Sequence, residues 1–289
     1  MLFGLKTNSV VDYIRSGTEA SLYVDDFLAC VRSKQMRSIE RQLQLCLNNL
    51  QRWSNENGFR FSKSKTVCVH FCHKRHAHPG PVLILDKHQI PVVAETKFLG
   101  VVFDRKLSFI PHLQQLRTKC TKTMNLLKVV SHRDWGGDSE TLLKIYRCLV
   151  RSKLDYGSIV YGSARKSYIQ MLDPIQNQGL RLCLGAFRTS PVESLQIEAN
   201  EAPLAISRNK LGLQFAVKLK ANPSNPAHSC TFDPNYAALF ETRQKTIPPF
   251  SFRVQKLLDN ANIDLSVIAV NHLTTEEPWM LRSHRYPFP

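Results

Sequence analysis

The sequence predicts an α+β fold in which short strands and one helix are followed by a mainly helical region. Runs of β-branched and aromatic residues fill much of the first hundred positions and alternate with turn signals. Beyond Pro111 the apolar residues recur instead at steps of three and four, the period of a helix. With 43% apolar and 21% charged residues, the 289-residue chain has a globular composition and the length of two modest domains.

Two adjacent carboxylates mark the first predicted element. Asp25 and Asp26 stand between short apolar runs at residues 22–24 and 27–31, a pattern that predicts a tight β-hairpin with both aspartates at its tip. A helix is predicted next, and Gly58 is the left-handed residue that ends it. This helix covers residues 36–55, and further strands are predicted at 59–61, 66–71, 82–85, 90–93 and 98–103, with a turn at 86–88.

Helix signals dominate the next part of the chain. Asp138 and Ser139 are capping candidates for one helix, and Gly185 ends another. Residues 190–193 (Ser-Pro-Val-Glu) combine an N-cap, a proline at the first helical position and a capping-box glutamate. The predicted helices cover residues 113–127, 142–150 and 168–184, with a fourth from residue 190 onward.

The pattern loosens after residue 220, where prolines are frequent. Only residues 236–242 and 254–260 have helical periodicity there. We therefore predict three segments: an α+β segment over 1–110, a basic helical segment over 111–220 and an extended tail or linker over 221–289.

Positive charge is in large excess. Lysine and arginine number 39 against 23 aspartate and glutamate, a formal net charge of +16, and residues 111–220 contain 17 against 8. Such an excess indicates a polyanionic partner, with nucleic acid first, because phosphate neutralisation releases counterions. A solubility charge and a membrane surface are the alternatives, but neither accounts for basic residues that recur through helical segments.

The compartment is indicated by what the sequence lacks. No apolar leader is present, and no stretch reaches the roughly 18 apolar residues of a membrane span. We expect a soluble intracellular protein, cytoplasmic or nuclear, that does not associate with membranes. The eight cysteines lie mostly among periodic apolar residues, so we expect reduced thiols and no disulfides.

The paired aspartates suggest a metal. Adjacent carboxylates repel each other unless a cation lies between them, and Mg²⁺ commonly takes one or two carboxylates together with substrate phosphates. Asp25 and Asp26 therefore predict a metal-binding site for metal-assisted phosphoryl transfer, although the dipeptide alone is more typical of a solvated turn. A run of cysteines and histidines over residues 68–78 is a rival zinc site, but its two-residue spacing along a strand favours ordinary strand side chains.

Several motifs, in their order, resemble the later part of a reverse transcriptase, and more narrowly the enzymes of non-LTR (LINE-type) retrotransposons of the jockey and I type. The resemblance covers about residues 15–220 and includes the helix after the aspartates. The matching stretches are Tyr-Val-Asp-Asp (23–26), Gly-Phe-Arg-Phe-Ser-Lys-Ser-Lys-Thr (58–66), Lys-Phe-Leu-Gly-Val (97–101), Lys-Leu-Asp-Tyr-Gly (153–157), Val-Tyr-Gly (160–162) and Ile-Gln-Asn (175–177).

The resemblance implies a partial palm, made of β-hairpins and a helix, followed by a helical thumb. It implies an RNA-directed DNA polymerase whose partners are an RNA template, a DNA primer and a dNTP. Asp25 would be a metal-binding catalytic carboxylate and Asp26 a weaker contributor, while Tyr23 and Val24 would lie near the primer terminus and the incoming nucleotide. In a two-metal mechanism, one Mg²⁺ activates the primer 3′-hydroxyl and the other holds the triphosphate.

Two further positions follow from the same resemblance. Lys65 corresponds to a lysine near the leaving pyrophosphate, where a cation donates a proton or neutralises charge; the alternative is an ordinary surface lysine. Phe98, Leu99 and Gly100 match the hairpin that grips the primer, and Gly100 would permit close backbone approach; the alternative is a plain core strand.

Some parts of a polymerase are not found in the sequence. A palm needs another aspartate several dozen residues before Tyr23, with a Gly-rich nucleotide-binding element between them, and Asp12 is too close for that role. Fingers and a ribonuclease H region are also not found. We therefore expect a truncated copy that is inactive alone, and the alternative is a non-catalytic nucleic-acid-binding remnant.

Overall fold

The computed structural model describes residues 6–14, 17–72, 79–132, 134–234, 240 and 248–269. Helices and short strands are mixed, which agrees with the predicted α+β class. The chain forms two compact units, one of Met1–Gly157 with Ala164–Ala199 and one of Ser158–Ser163 with Asn200–Pro289. The division into segments 1–110, 111–220 and 221–289 stays a prediction.

The first unit contains the predicted aspartate hairpin. Strand β1 (Glu19–Tyr23) pairs antiparallel with β2 (Asp26–Cys30). Helix α1 (Met36–Asn57) follows and ends at Gly58, whose φ of 72° is the left-handed conformation expected of a C-terminal glycine. The hairpin and this helix are therefore confirmed.

The hairpin packs on α1 through one apolar face. Leu22 and Phe27 contact a buried cluster that includes Leu50 and Trp53. Strand residues on one face share a period of two, so this burial leaves the alternate side chains in solvent. The hairpin is thereby fixed on one face only.

The remaining strands are shorter than predicted. They are β3 (Cys68–Val69), β4 (Ile84–Leu85), β5 (His88–Gln89), β6 (Val92–Val93), β7 (Glu95–Phe98) and β8 (Val101–Asp104). Their pairs are β4 with β5 and β7 with β8, both antiparallel, and β3 with β6, which is parallel. Asp86 and Lys87 form the predicted turn, with φ values of 47° and 63°.

Two strand predictions are wrong. Residues 59–61 form no strand, because their aromatic rings pack on Trp53: the Phe59 ring stacks at 5.1 Å and the Phe61 ring lies at 6.2 Å, centroid to centroid. Residues 98–103 do not form one continuous strand, because Leu99 and Gly100 turn the chain with φ values of 44° and 81°.

The helical part of the first unit follows the predicted stripes. In α2 (Ile110–Val130) the side chains that point inward are buried, and they are Leu113, Leu116, Cys120, Met124 and Leu127. Helix α3 (Ser139–Tyr146) is capped as predicted, since the Asp138 carboxylate accepts from the backbone N–H of Thr141 at 2.7 Å. A π-helical segment (Arg147–Arg151) connects α3 to α4 (Ser152–Asp155).

The third predicted helical segment, 168–184, is confirmed as a run of helical turns, and the fourth helix begins later than predicted. A short helix α5 (Lys166–Ile169) and a 3₁₀ turn (Gln170–Leu172) precede α6 (Asp173–Leu184), which ends at Gly185 with a φ of 62°. Helix α7 (Val192–Glu198) begins after Pro191, and no side chain caps it. The predicted capping box is therefore wrong.

The second unit is helical. Its elements are α8 (Ser158–Tyr161), α9 (Leu204–Lys220), α10 (Ala227–Phe232), α11 (Phe250–Ala261) and a 3₁₀ turn (Leu265–Val267). Ala216 of α9 and Val254 and Leu258 of α11 form its buried cluster. The helix predicted at 254–260 is confirmed, so this part of the predicted tail is helical and packed. The candidate at 236–242 lies almost entirely outside the described residues.

All eight cysteines are unpaired thiols, and Cys46, Cys120 and Cys183 are buried. Over the ranges that the structure describes, no helix combines the length and apolar character needed to cross a membrane.

Candidate functional site

The two aspartates lie at the tip of the β1–β2 hairpin. Tyr23 pairs with Asp26, so Val24 and Asp25 form a two-residue turn. Val24 has a φ of 58°, a left-handed value that is uncommon for a β-branched residue. Both carboxylates are exposed, and Tyr23 and Val24 are each 62% exposed. The hairpin therefore presents two carboxylates and an apolar pair to solvent from a short turn.

This tip suits a hard cation in part. Exposed adjacent carboxylates supply oxygen ligands of the kind that Mg²⁺ takes together with phosphate oxygens. Among the described residues, no group of three or more histidine, cysteine, aspartate or glutamate side chains could hold a metal ion. Asp25 and Asp26 therefore supply oxygen ligands of the type that Mg²⁺ prefers, but they do not form a two-ion site by themselves, and their metal-binding role stays a prediction.

The segment that carries Lys65 is fixed to the same helix as the hairpin. Phe59 and Phe61 pack beside Trp53 of α1, and the backbone then turns at residues 63–65. Lys65 is exposed, while its neighbour Lys63 makes an ion pair with Asp86 at 2.6 Å. The hydrogen bond from Lys63 and its charge lower the pKa of the Asp86 carboxyl.

Lys65 stays available for an added anion. Among the described residues, no hydrogen bond or ion pair joins Lys65 to either tip aspartate. The aspartate hairpin and the segment that carries Lys65 thus both pack on α1, but the Lys65 ammonium is not bonded to the Asp25 or Asp26 carboxylate.

A second hairpin contains the predicted primer-gripping residues. Phe98 of β7 pairs with Val101 of β8, and Leu99 and Gly100 form the turn between them. Val101 and Val102 are buried, whereas Gly100 is exposed. The strand β8 is therefore core and the turn is at the surface, while the primer-gripping role of Phe98, Leu99 and Gly100 stays a prediction.

Tyr156 contacts this turn from the helical region. Its hydroxyl donates to the carbonyl oxygen of Leu99 at 2.7 Å. A Cβ built on Gly100 would lie 3.0 Å from Cε1 of the Tyr156 ring. No local sequence pattern connects Tyr156 to this turn, because the two residues of the hydrogen bond are 57 positions apart.

Asp104 joins the hairpin to helix α2. Its carboxylate accepts from the backbone N–H groups of Phe109 at 2.7 Å, Ser108 at 3.1 Å and Lys106 at 3.2 Å, and from the Ser108 hydroxyl at 2.9 Å. Burial alone would raise the pKa of the Asp104 carboxyl, but these hydrogen bonds together lower it. The loop includes Leu107 and Phe109 at φ values of 50° and 57°, so the aspartate holds a strained connection.

Buried His112 makes the other link between β8 and α2. The backbone N–H of Val102 donates to Nδ1 of His112 at 3.3 Å. Burial lowers the pKa of His112, and the charge of Lys119 lowers it further. The imidazole is therefore a neutral acceptor at pH 7.

Helix α2 has a cationic outer surface. Its sequence contains four basic residues and no acidic one, and all four are exposed: Arg117, Lys119, Lys122 and Lys128. An exposed cationic surface of this kind attracts phosphate without selecting a base sequence.

Curated relatives give the family context. The chain is 24% identical over 203 residues, 68% of its length, to a Retrovirus-related Pol polyprotein from type-1 retrotransposable element R1 of Nasonia vitripennis, and spans 60% of that protein. It is 26% identical over 212 residues, 71% of its length, to the RNA-directed DNA polymerase from mobile element jockey of Drosophila melanogaster, of which it spans 22%.

A third relative is more similar over a shorter stretch. The chain is 30% identical over 166 residues, 56% of its length, to the Probable RNA-directed DNA polymerase from transposon X-element of Drosophila melanogaster, and spans 18% of it. The chain thus spans three fifths of the first relative and about a fifth of the other two. No protein-family model and no solved structure matches it significantly.

Proposed function

Because the chain is homologous to RNA-directed DNA polymerases of non-LTR retrotransposons, we propose that it supplies the palm hairpin, the primer-gripping hairpin and the thumb of such a polymerase. The observation that carries the proposal is the β1–β2 hairpin, which presents Asp25 and Asp26 in solvent at the tip of a two-residue turn. The reaction is nucleotidyl transfer from a dNTP to a primer 3′-hydroxyl on an RNA template.

Each proposed residue acts through charge or position. Asp25, with Asp26 beside it, holds the metal against the phosphates, since carboxylate oxygens are the ligands that Mg²⁺ prefers. When bound, Mg²⁺ activates the primer hydroxyl and neutralises charge on the triphosphate. Lys65, exposed and without an ion pair among the described residues, neutralises or protonates the leaving pyrophosphate.

The remaining residues hold the nucleic acid. Tyr23 and Val24 lie at the primer terminus, where their exposed apolar surface is covered by the nucleotide. Phe98, Leu99 and Gly100 grip the primer through the β7–β8 turn. The cationic outer surface of α2 binds the phosphates of the template–primer duplex.

The polypeptide by itself is proposed to bind an RNA–DNA hybrid without extending the primer. Two carboxylates fit one Mg²⁺, and the two-ion chemistry of nucleotidyl transfer needs more ligands than the described residues supply. Incubation with a primed RNA template, dNTPs and Mg²⁺ should give no product. Robust Mg²⁺-dependent extension that Asp25→Ala abolishes would show that this part of the proposal is wrong.

Hybrid binding is tested by fluorescence anisotropy across a salt series. The affinity should fall with salt, and replacing Lys122 and Lys128 with alanine should make the log–log slope shallower by about one to two, because fewer counterions are released. Replacing the exposed Lys6 and Lys87 is the matched control, with the same change in net charge. Equal slopes for both variants would contradict a thumb role for α2.

A non-catalytic nucleic-acid-binding protein is the second candidate, and the cationic α2 surface favours it equally. Mn²⁺, which can be detected by electron paramagnetic resonance, separates the two. The polymerase proposal requires Mn²⁺ bound to the hybrid complex and lost in Asp25→Asn, but kept in Asp134→Asn, whose side chain is 82% exposed. Identical Mn²⁺ binding by all three proteins would favour the non-catalytic candidate.

A further inference from the structure

The β7–β8 turn has a strained backbone and accepts a hydrogen bond from a residue outside the hairpin. Leu99 has a φ of 44°, a left-handed value that is costly for a branched side chain. The Tyr156 hydroxyl donates to the carbonyl oxygen of this residue at 2.7 Å. The hydrogen bond therefore stabilises a backbone conformation that the turn sequence does not favour by itself.

Two glycines make the close approach possible. Gly100 has a φ of 81°, and a Cβ there would lie 3.0 Å from Cε1 of Tyr156. Gly157 has a φ of 69°, and a Cβ there would lie 2.9 Å from Cγ2 of Val101. An added methyl group at Gly157 would force Val101 to shift, and one at Gly100 would push the Tyr156 ring back by a few tenths of an ångström. The backbone at Gly100 thus packs against the Tyr156 ring, and the backbone at Gly157 packs against a methyl group of Val101.

Tyr156 itself is held by the end of α4. Its backbone N–H donates to the carbonyl of Ser152 at 3.0 Å, and Leu154 beside it is 1% exposed. Arg151 and Asp155 form an ion pair at 3.0 Å with little solvent access to either side chain. The backbone at Tyr156 is therefore held by α4, while the tyrosine ring is 59% exposed and meets the turn through its hydroxyl hydrogen bond and its contact with Gly100.

We propose that Tyr156 is a positioning residue that fixes the β7–β8 turn at the point where the hairpin meets the primer terminus. The inference rests on the proposed function of that hairpin. A primer end must be held within a fraction of an ångström for transfer, so a turn that drifts would place it wrongly. Tyr156 acts through Leu99 and Gly100, and it needs no contact with the reacting atoms.

The first test measures the turn directly in the full chain. In Tyr156→Phe the ring remains and only the hydroxyl is removed, so amide hydrogen exchange at residues 99–101 should rise about two- to tenfold. Tyr168→Phe is the control, because Tyr168 is half-buried and its hydroxyl has no hydrogen-bond partner in the described part of the chain. Unchanged exchange in Tyr156→Phe would overturn the inference.

The second test measures primer positioning. Wild-type protein should bind a hybrid with a recessed primer 3′ end more tightly than a blunt hybrid of equal length, and Tyr156→Phe should lose about two- to tenfold of that preference. Its salt slope and its affinity for the blunt hybrid should stay unchanged, which a general loss of folding would not allow.

The outcomes separate the two proposals. If the wild-type chain binds both hybrids and Tyr156→Phe keeps the full preference for the recessed end, the positioning role is wrong and the proposed function stands. If the wild-type chain binds neither hybrid, the proposed function fails, and the primer part of this inference fails with it.

Discussion

Asp104 is a polar residue whose replacement we expect to weaken the first unit strongly. Its carboxylate accepts four hydrogen bonds from the loop that leads into α2. At about 0.5–1.5 kcal/mol net for each bond, reduced because water reaches this half-buried site, Asp104→Ala should lower the free energy of unfolding by about 2–4 kcal/mol. The loop also contains two residues with positive φ, which the aspartate holds in place.

The pH dependence has a defined sign. Since hydrogen bonds lower the folded pKa of Asp104 below that of the unfolded chain, its stabilisation is present above about pH 4 and is lost as the pH falls through the folded value. The difference in free energy of unfolding between wild type and Asp104→Ala should therefore be larger near pH 7 than near pH 2. Urea unfolding followed by circular dichroism at several pH values measures it.

Glu95 provides the matched control. It lies directly opposite Asp104 on the neighbouring strand, and it is exposed. Glu95→Ala removes the same charge without removing loop hydrogen bonds, so it should change stability by no more than about 0.5 kcal/mol. A loss below about 1 kcal/mol for Asp104→Ala at pH 7, or an equal loss at pH 7 and pH 2, would refute the assignment.

Two more outcomes follow from packing and burial. Gly179→Ala should destabilise the first unit by about 1–3 kcal/mol in urea unfolding, because the added Cβ would lie 2.6 Å from Cε2 of the fully buried Tyr146. Helix propensity alone would make this substitution stabilising, so a gain in stability would contradict the packing. Native Cys120 should resist iodoacetamide at pH 8, since burial raises the pKa of its thiol to about 11, whereas exposed Cys148 and Cys230 should be alkylated. Peptide mass spectrometry measures this, and fast labelling of Cys120 in folded protein would show that the site is open.

Local patterns predicted the elements that depend on neighbouring residues. The Asp25 and Asp26 hairpin, helix α1 with its end at Gly58 and the Asp138 cap all follow from interactions within a few positions. The capping box before α7 was the exception. There the helix begins after Pro191, and the carbonyl of Ser190 accepts from the side chain of Arg181.

Contacts between distant residues decided the rest. The sequence by itself determined the order of elements, the cationic character of α2 and the residue types at the hairpin tips, because these depend on composition and short-range periodicity. Residues 59–61 pack on Trp53, six to eight positions earlier, instead of forming a strand. Only the tertiary structure decided that Tyr156 holds the turn at Leu99, 57 positions away. Such contacts depend on where the chain returns in space, and no local pattern of side chains encodes that return.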